Sequence, residues 1–163
     1  MKTVLILRHA KSSWKKPDLD DHDRPLNARG KRDAPRIGKL LRGQHLVPDY
    51  VVCSTAKRAR KTTEAVTQAC GYTGEIEHAD GLYMGDPEDY VATLRALPDA
   101  CERALVVGHN PSVQELLTQL TGAYEEMPTA ALAEVKLPIE HWSSLGQDPQ
   151  GALAHLWTPK SLP

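Results

Sequence analysis

Residues 3–10 read TVLILRHA, a run of β-branched residues and leucines that stops at Arg8 and His9. A continuous apolar run of this kind is typical of a strand that is buried on both faces. Such strands belong to parallel sheets that carry helices on each side. Arg8 and His9 are therefore expected at the carboxyl end of a buried strand.

Strand-like and helix-like segments alternate along the rest of the chain. Further strands are predicted at 49–54, 103–108, 131–137 and 151–157. Helices are predicted from Asn27 as N-cap to about Arg42, over Lys57–Cys70, from Asp86-Pro87, and from Asn110-Pro111. This order predicts an α/β fold, a three-layer α/β/α sandwich with a mostly parallel central sheet.

Length and composition indicate one globular domain spanning 1–163, since 40% of the 163 residues are hydrophobic and 25% are charged. No apolar stretch approaches the ~20 residues that cross a bilayer, so we expect a cytoplasmic protein with no membrane partner. The net charge of −1 argues against a protein that coats nucleic acid. Cys53, Cys70 and Cys101 are widely spaced, which indicates reduced thiols rather than a disulfide framework.

The predicted strand ends carry the residues of chemical interest. The first strand ends in Arg8 and His9, Arg58 follows the second, and His109 follows the strand at 103–108. Ligands of such sheets gather beyond the carboxyl ends of the strands. Clustered arginines need an anionic partner, because unpaired charge removed from water is costly. Phosphoryl oxygens accept bidentate arginine hydrogen bonds, so the pattern predicts a phosphate site.

An imidazole beside a phosphate site suggests nucleophilic catalysis. Neutral His9 can attack phosphorus to give a phosphohistidine that the arginines stabilise and water hydrolyses. Its attacking nitrogen must be unprotonated, so we expect an acceptor such as a backbone carbonyl to hold the other ring N–H. His109, if protonated, would donate to the phosphoryl oxygens.

Four motifs carry a resemblance to a known family. They are LRHAKS at 7–12, RPLNARG at 24–30, CSTAKRARKTTEAV at 53–66 and VVGHNP at 106–111. In this order they resemble the RHG, PLT-x-x-G, S-x-x-x-R-A-x-x-T and G-H motifs of the histidine phosphatase superfamily, which has the phosphoglycerate mutase-like fold. The short chain is similar to the SixA-type phosphohistidine phosphatases, which lack the inserted lid of the mutases.

The resemblance implies a cofactor-free and metal-independent phosphatase. His9 would be the phosphorylated nucleophile, and Arg8, Arg58 and His109 would complete the phosphate pocket. Arg24 would be a further phosphate or substrate contact.

Two positions depart from the family pattern. Ala10 stands where the family has glycine, and Met84 is nearest to the position of the family's acidic proton donor. Asp86 and Glu88 are neighbouring candidate donors, although both are also explained as the start of a helix. A phosphoramidate can leave as a neutral imidazole, so the lack of a clear acid favours an N–P substrate such as phosphohistidine.

Alternatives remain open at this point. The substrate could be a phosphorylated protein carrying phosphohistidine or a small phosphorylated metabolite, and the rival functions are a mutase and a non-catalytic phosphate-binding module. Cys53 and Arg58 have C-x4-R spacing, one residue short of a cysteine-phosphatase loop. The DLDDHD stretch at 18–23 is interpreted as a solvated acidic loop rather than a metal site.

Overall fold

The computed structural model describes residues 1–146 and 150–162. Strands and helices alternate over these residues, as predicted. In chain order they are β1 Lys2–Arg8, α1 Ala28–Gly43, β2 Tyr50–Ser54, α2 Lys57–Cys70, β3 Ile76–Ala79, α3 Pro87–Arg95, β4 Arg103–Gly108, α4 Ser112–Thr121, β5 Leu132–Leu137 and β6 Ala152–Trp157. The predicted α/β class is confirmed.

The strands form one sheet in the order β3-β2-β4-β1-β5-β6. The pairs β2–β3, β2–β4 and β1–β4 are parallel, whereas β5 runs antiparallel to both β1 and β6. Among the strands described, β5 alone is reversed, so the predicted mostly parallel sheet is confirmed. The carboxyl ends of the other five strands therefore lie at one edge of the sheet, here called the site edge.

Helices cover both faces of the sheet and give the three predicted layers. On one face Leu5 and Leu7 of β1 pack with α1 and α2, and on the other Ile6 packs with α3 and α4. α1 and α2 approach closely at Gly38, which has no side chain. A Cβ added there would lie 2.5 Å from the carbonyl oxygen of Val66. None of the helices in the described ranges is both long and apolar enough to cross a membrane.

All three cysteines are buried free thiols. Burial raises the pKa of Cys53 to about 11 and also raises the pKa of Cys70. Cys53 lies within β2 and its thiol is fully covered. A thiolate nucleophile of the cysteine-phosphatase kind is therefore absent from this strand.

Two details differ from the sequence-based expectation. β3 was not predicted; it lies at the end of the sheet and pairs with β2 alone. α4 begins at Ser112 with Pro111 as the N-cap residue, not Asn110. The Asn110 side chain instead donates from Nδ2 to the carbonyl oxygen of Met127 at 2.9 Å, and its Oδ1, the atom that would cap a helix, accepts no hydrogen bond in the described residues.

Candidate active site

The two predicted catalytic histidines meet at the site edge. His9 follows β1 and its backbone N–H donates to the carbonyl of Gly108 at the end of β4. His109 follows β4, and its backbone N–H donates to the hydroxyl of Tyr90 on α3. The parallel pairing of β1 with β4 brings the two ring centroids to 5.1 Å.

The His9 ring is held in one tautomer. Its Nδ1 lies 2.7 Å from the carbonyl oxygen of Ala10, and a carbonyl only accepts, so Nδ1 carries the proton. The lone pair is then on Nε2. Burial lowers the pKa of His9 to about 3. The hydrogen bond to Ala10 raises this pKa, whereas the neighbouring His109, Arg58 and Arg8 lower it further. The ring is neutral at physiological pH, as a nucleophile must be.

The His109 ring contacts a hydroxyl through one of its nitrogens. Ser54 Oγ accepts the backbone N–H of Ala56 at 3.2 Å and lies 2.7 Å from Nε2 of His109. The hydroxyl donates to Nε2 in the tautomer that has the ring proton on Nδ1, and accepts from Nε2 in the other. Nδ1 is buried and contacts no acceptor in the described residues. Burial, followed by the charge of Arg58, lowers the pKa of His109 to about 4, so the expected donor acts as a neutral ring.

Arg8 and Arg58 flank the histidines with part of their donor capacity unused. Arg8 donates from Nη1 to the Met127 carbonyl at 3.1 Å, and Arg58 donates from Nη1 to the Asp21 carbonyl at 2.7 Å. The Nε of each arginine is buried without an acceptor in the described residues. Burial also lowers the pKa of Arg8, which shows that its charge is poorly solvated. Uncompensated buried donors of this kind favour an anionic ligand.

Asp21 is a site residue that the sequence interpretation missed, since 18–23 was taken as a solvated acidic loop. Its carboxylate accepts from Arg58 Nη2 at 3.0 Å, from Arg24 Nε at 3.0 Å and from the Tyr83 hydroxyl at 2.8 Å. Burial raises the pKa of Asp21, but these hydrogen bonds outweigh it and hold the pKa well below its usual range. The three-residue spacing from Asp21 to Arg24 was the available signal.

Arg24 is buried against the loop that follows β1. Nη1 donates to Ser12 Oγ at 2.7 Å, and the guanidinium stacks on Trp14 with Cζ 3.6 Å from the ring centroid. Nη2 donates to no acceptor within 1–146 and 150–162. A substrate contact through that atom stays a prediction, while Nε and Nη1 fix the position of Asp21 and of the loop.

A cavity of about 360 Å³ opens beside Arg58 and His109, and Tyr83, Met84 and Asp86 also line it. Of the two acids predicted from the sequence, Asp86 therefore reaches the cavity. Glu88 is exposed, accepts from Gln119 Nε2 at 2.9 Å and is not among the lining residues. The structure gives Glu88 no contact with the site.

Comparisons with known proteins identify the family of the chain. The profile of the histidine phosphatase superfamily (branch 1) matches residues 4–83. An uncharacterized protein of Mycobacterium leprae is 35% identical over 135 residues, covering 81% of each chain.

Solved structures extend the likeness over nearly the whole chain. SixA from Nakamurella multipartitia superposes with a TM-score of 0.86 at 29% identity, covering 97% of this chain and 96% of its own. A protein histidine phosphatase SixA complexed with tungstate gives 0.84 at 26% identity, covering 97% of both chains. The chain thus belongs to the histidine phosphatase superfamily, in its SixA-type branch with the phosphoglycerate mutase-like fold.

Proposed function

We propose that this phosphatase transfers the phosphoryl group of its substrate to Nε2 of His9 and then to water. The observation that carries the proposal is the 2.7 Å contact from His9 Nδ1 to the Ala10 carbonyl, which leaves the lone pair on Nε2. In the first step the Nε2–P bond forms as the bond from phosphorus to the leaving group breaks. In the second, water attacks phosphorus, the Nε2–P bond breaks, and the water proton passes to the phosphate released.

The surrounding donors would stabilise the charge on the phosphoryl oxygens. Arg8 and Arg58 supply positive charge, and each keeps a buried Nε–H without a protein acceptor in the described residues. His109 adds its Nδ1–H without having to be charged. These fixed donors do not need to reorganise when charge develops in the transition state, which is the basis of electrostatic catalysis. Under this proposal the reaction needs neither a metal ion nor a cofactor.

For the substrate we favour phosphohistidine on a protein. The support comes from the SixA-type relationship and from the position of Glu88, one of the two candidate proton donors, away from the cavity. An imidazole leaves as a neutral group once protonated, so it depends less on a dedicated enzyme acid than an alkoxide does. A small phosphorylated metabolite is the second candidate, because Asp86 lines the cavity and could protonate an ester oxygen.

The test compares wild type and His9→Ala on p-nitrophenyl phosphate and on a phosphohistidine peptide. We expect wild type to hydrolyse both and His9→Ala to lose at least about a thousandfold in kcat. Rapid quench with ³²P-labelled substrate should trap an acid-labile, base-stable label on His9. His78→Ala, which removes an exposed histidine of β3, is the matched control and should retain full activity.

Each rival function predicts a different result. A phosphate-binding module would bind phosphate equally in wild type and His9→Ala and turn over neither substrate. A metabolite phosphatase would hydrolyse small esters but not the peptide, and Asp86→Asn would lower its kcat. A mutase would return the phosphoryl group to an acceptor alcohol rather than release inorganic phosphate.

A further inference from the structure

A second cavity lies beside the phosphate site, at the β5 and β6 side of the site edge. It is a groove of about 770 Å³ whose walls are α1, residues 126–129 and residues 158–160. Arg8 lines it, and Asn110 lines both this groove and the cavity at His109. The groove therefore adjoins the phosphate site through Asn110 and through Arg8, the chain neighbour of His9.

The groove is strongly basic although the whole chain carries a net charge of −1. Five cationic side chains and two carboxylates line it. They are Arg8, Arg29, Arg32, Arg36 and Lys160, against Asp33 and Glu126. Positive charge is thus concentrated next to the site, where it raises the local concentration of anionic ligands.

The cations of the groove are not equivalent. Arg36 is paired with Asp33 at 3.0 Å and also donates to the carbonyls of Pro159 and Leu162. Arg32 lies 3.2 Å from the same Asp33, yet its side chain is 65% exposed. Arg29 and Lys160 are exposed, and the single polar contact of Arg29 in the described ranges is with Thr129 Oγ1 at 3.4 Å.

This distribution favours a macromolecular anion over a small one. A small anion needs converging, ordered donors, but apart from Arg8 at the phosphate site the ordered cation, Arg36, is already paired with Asp33. Arg29, Arg32 and Lys160 are long, exposed side chains. Arg29, Arg32 and Arg36 share one face of α1 at i, i+3 and i+7, a span of ~10 Å. Several carboxylates on one protein surface can contact such a row at once.

We propose that the groove binds an acidic segment of the phosphorylated partner protein, with the phosphohistidine of that partner placed at His9. The inference rests on the proposed function, and it adds that carboxylates beside the phosphohistidine determine which partners are selected. Arg29 and Lys160 are the residues assigned to this contact. Exposed charges of this kind act mainly on encounter, so their effect should appear in kcat/KM and fall with salt.

The experiment uses two phosphohistidine peptides that differ in four flanking residues, all Glu in one and all Gln in the other. We expect wild type to prefer the Glu peptide by about tenfold in kcat/KM at low salt, and the preference to shrink in about 0.5 M NaCl. R29E/K160E should abolish or reverse the preference, and R29Q/K160Q should give an intermediate ratio. K31E/K39E makes the same charge change on exposed residues of α1 outside the groove and should keep the wild-type ratio.

The possible outcomes distinguish a failure of the groove proposal from a failure of the proposed phosphatase function. If wild type hydrolyses neither peptide, the proposed substrate is wrong. If it hydrolyses both and R29E/K160E has the wild-type ratio, the groove proposal alone is overturned. If, in addition, R29E/K160E hydrolyses hexane-1,6-diol bisphosphate more slowly than wild type, the groove binds a small anion instead of an acidic protein segment.

Discussion

The Ser54 hydroxyl lies 2.7 Å from Nε2 of His109, and as a donor to that atom it would hold the ring proton on Nδ1. Without it, the proton can move to Nε2 and Nδ1 ceases to be a reliable donor. We expect Ser54→Ala to lower kcat/KM on p-nitrophenyl phosphate about tenfold, the equivalent of one hydrogen bond of roughly 1.4 kcal/mol. Steady-state kinetics would measure the loss.

A second variant separates the hydrogen bond from packing. Ser54→Cys keeps the side-chain size but is a weak donor, so it should lose activity as Ser54→Ala does. Wild-type kcat/KM in Ser54→Cys would show that the hydroxyl is not needed.

The buried histidines predict how stability depends on pH. Folded His9 and His109 take up protons only near pH 3 and 4, whereas an unfolded histidine does so near 6.5. Between these values the unfolded chain binds more protons, so the free energy of unfolding falls as the pH falls. The slope should approach roughly 1.4 kcal/mol per pH unit for each histidine. Urea unfolding at about pH 7, 5.5 and 4.5 would measure it.

The variant His9→Asn cannot take up this proton. Its free energy of unfolding should therefore depend less steeply on pH than that of wild type over the same interval. Identical slopes in the two proteins would mean that His9 is not held neutral by the fold.

Single residues also show how far the position of a side chain can be predicted from the sequence. Arg8, His9, Arg58 and His109 were predicted as one site because each follows a strand, and parallel strands end at one edge. Asp21, Ser54 and Tyr83 were missed as site residues. The contacts of Asp21 and Tyr83 depend on the path of the loop at 10–26 and of the segment before α3, and neither path has a hydrophobic period to predict it. Ser54 ends β2, and its contact with His109 follows from the pairing of β2 with β4.

At the scale of elements, the contact of α1 with α2 depends on a missing side chain. A Cβ at Gly38 would lie 2.5 Å from the Val66 carbonyl oxygen and 2.6 Å from Ala69 Cβ, so the helices would have to separate. We expect Gly38→Ala to destabilise the protein by about 1–3 kcal/mol, despite the better helix propensity of alanine. Chemical denaturation would measure the change.

Gly43 provides the matched control for Gly38. It is the last residue of α1, and a Cβ there would have no neighbour within 4 Å. Gly43→Ala should leave stability unchanged or raise it by up to about 1 kcal/mol. A Gly38→Ala variant as stable as Gly43→Ala would contradict the close helix contact.

Strands and helices with a clear hydrophobic pattern were predicted from the sequence, whereas β3, which has none, was not. β1 and β4 are apolar runs, β5 alternates apolar residues with Glu134 and Lys136, and α2 was predicted with its observed ends. β3 spans Ile76–Ala79, of which Glu77 and His78 are exposed, so it shows no apolar run. Its strand conformation comes from pairing with β2, a tertiary effect that overrides local propensity.

For the whole molecule, the proposed mechanism takes the charge that assists phosphoryl transfer from side chains. Within the described ranges no group of three or more His, Cys, Asp or Glu is placed to hold a metal ion, whereas Arg8 and Arg58 flank His9. We expect exhaustive treatment with EDTA to leave kcat/KM on p-nitrophenyl phosphate within about twofold of the untreated value. A loss that added Mg²⁺ or Zn²⁺ restores would contradict a mechanism based on arginine alone.

The burial of Cys53, Cys70 and Cys101 has a practical consequence for measurements on the intact protein. Maleimides react with accessible thiolates, and here each thiol is covered and protonated. A cysteine introduced at an exposed position, such as Tyr124 at 89% exposure, would be alkylated ahead of the native three. The native chain can therefore carry one fluorophore at a chosen place, without first being stripped of its own cysteines, to report peptide binding in real time.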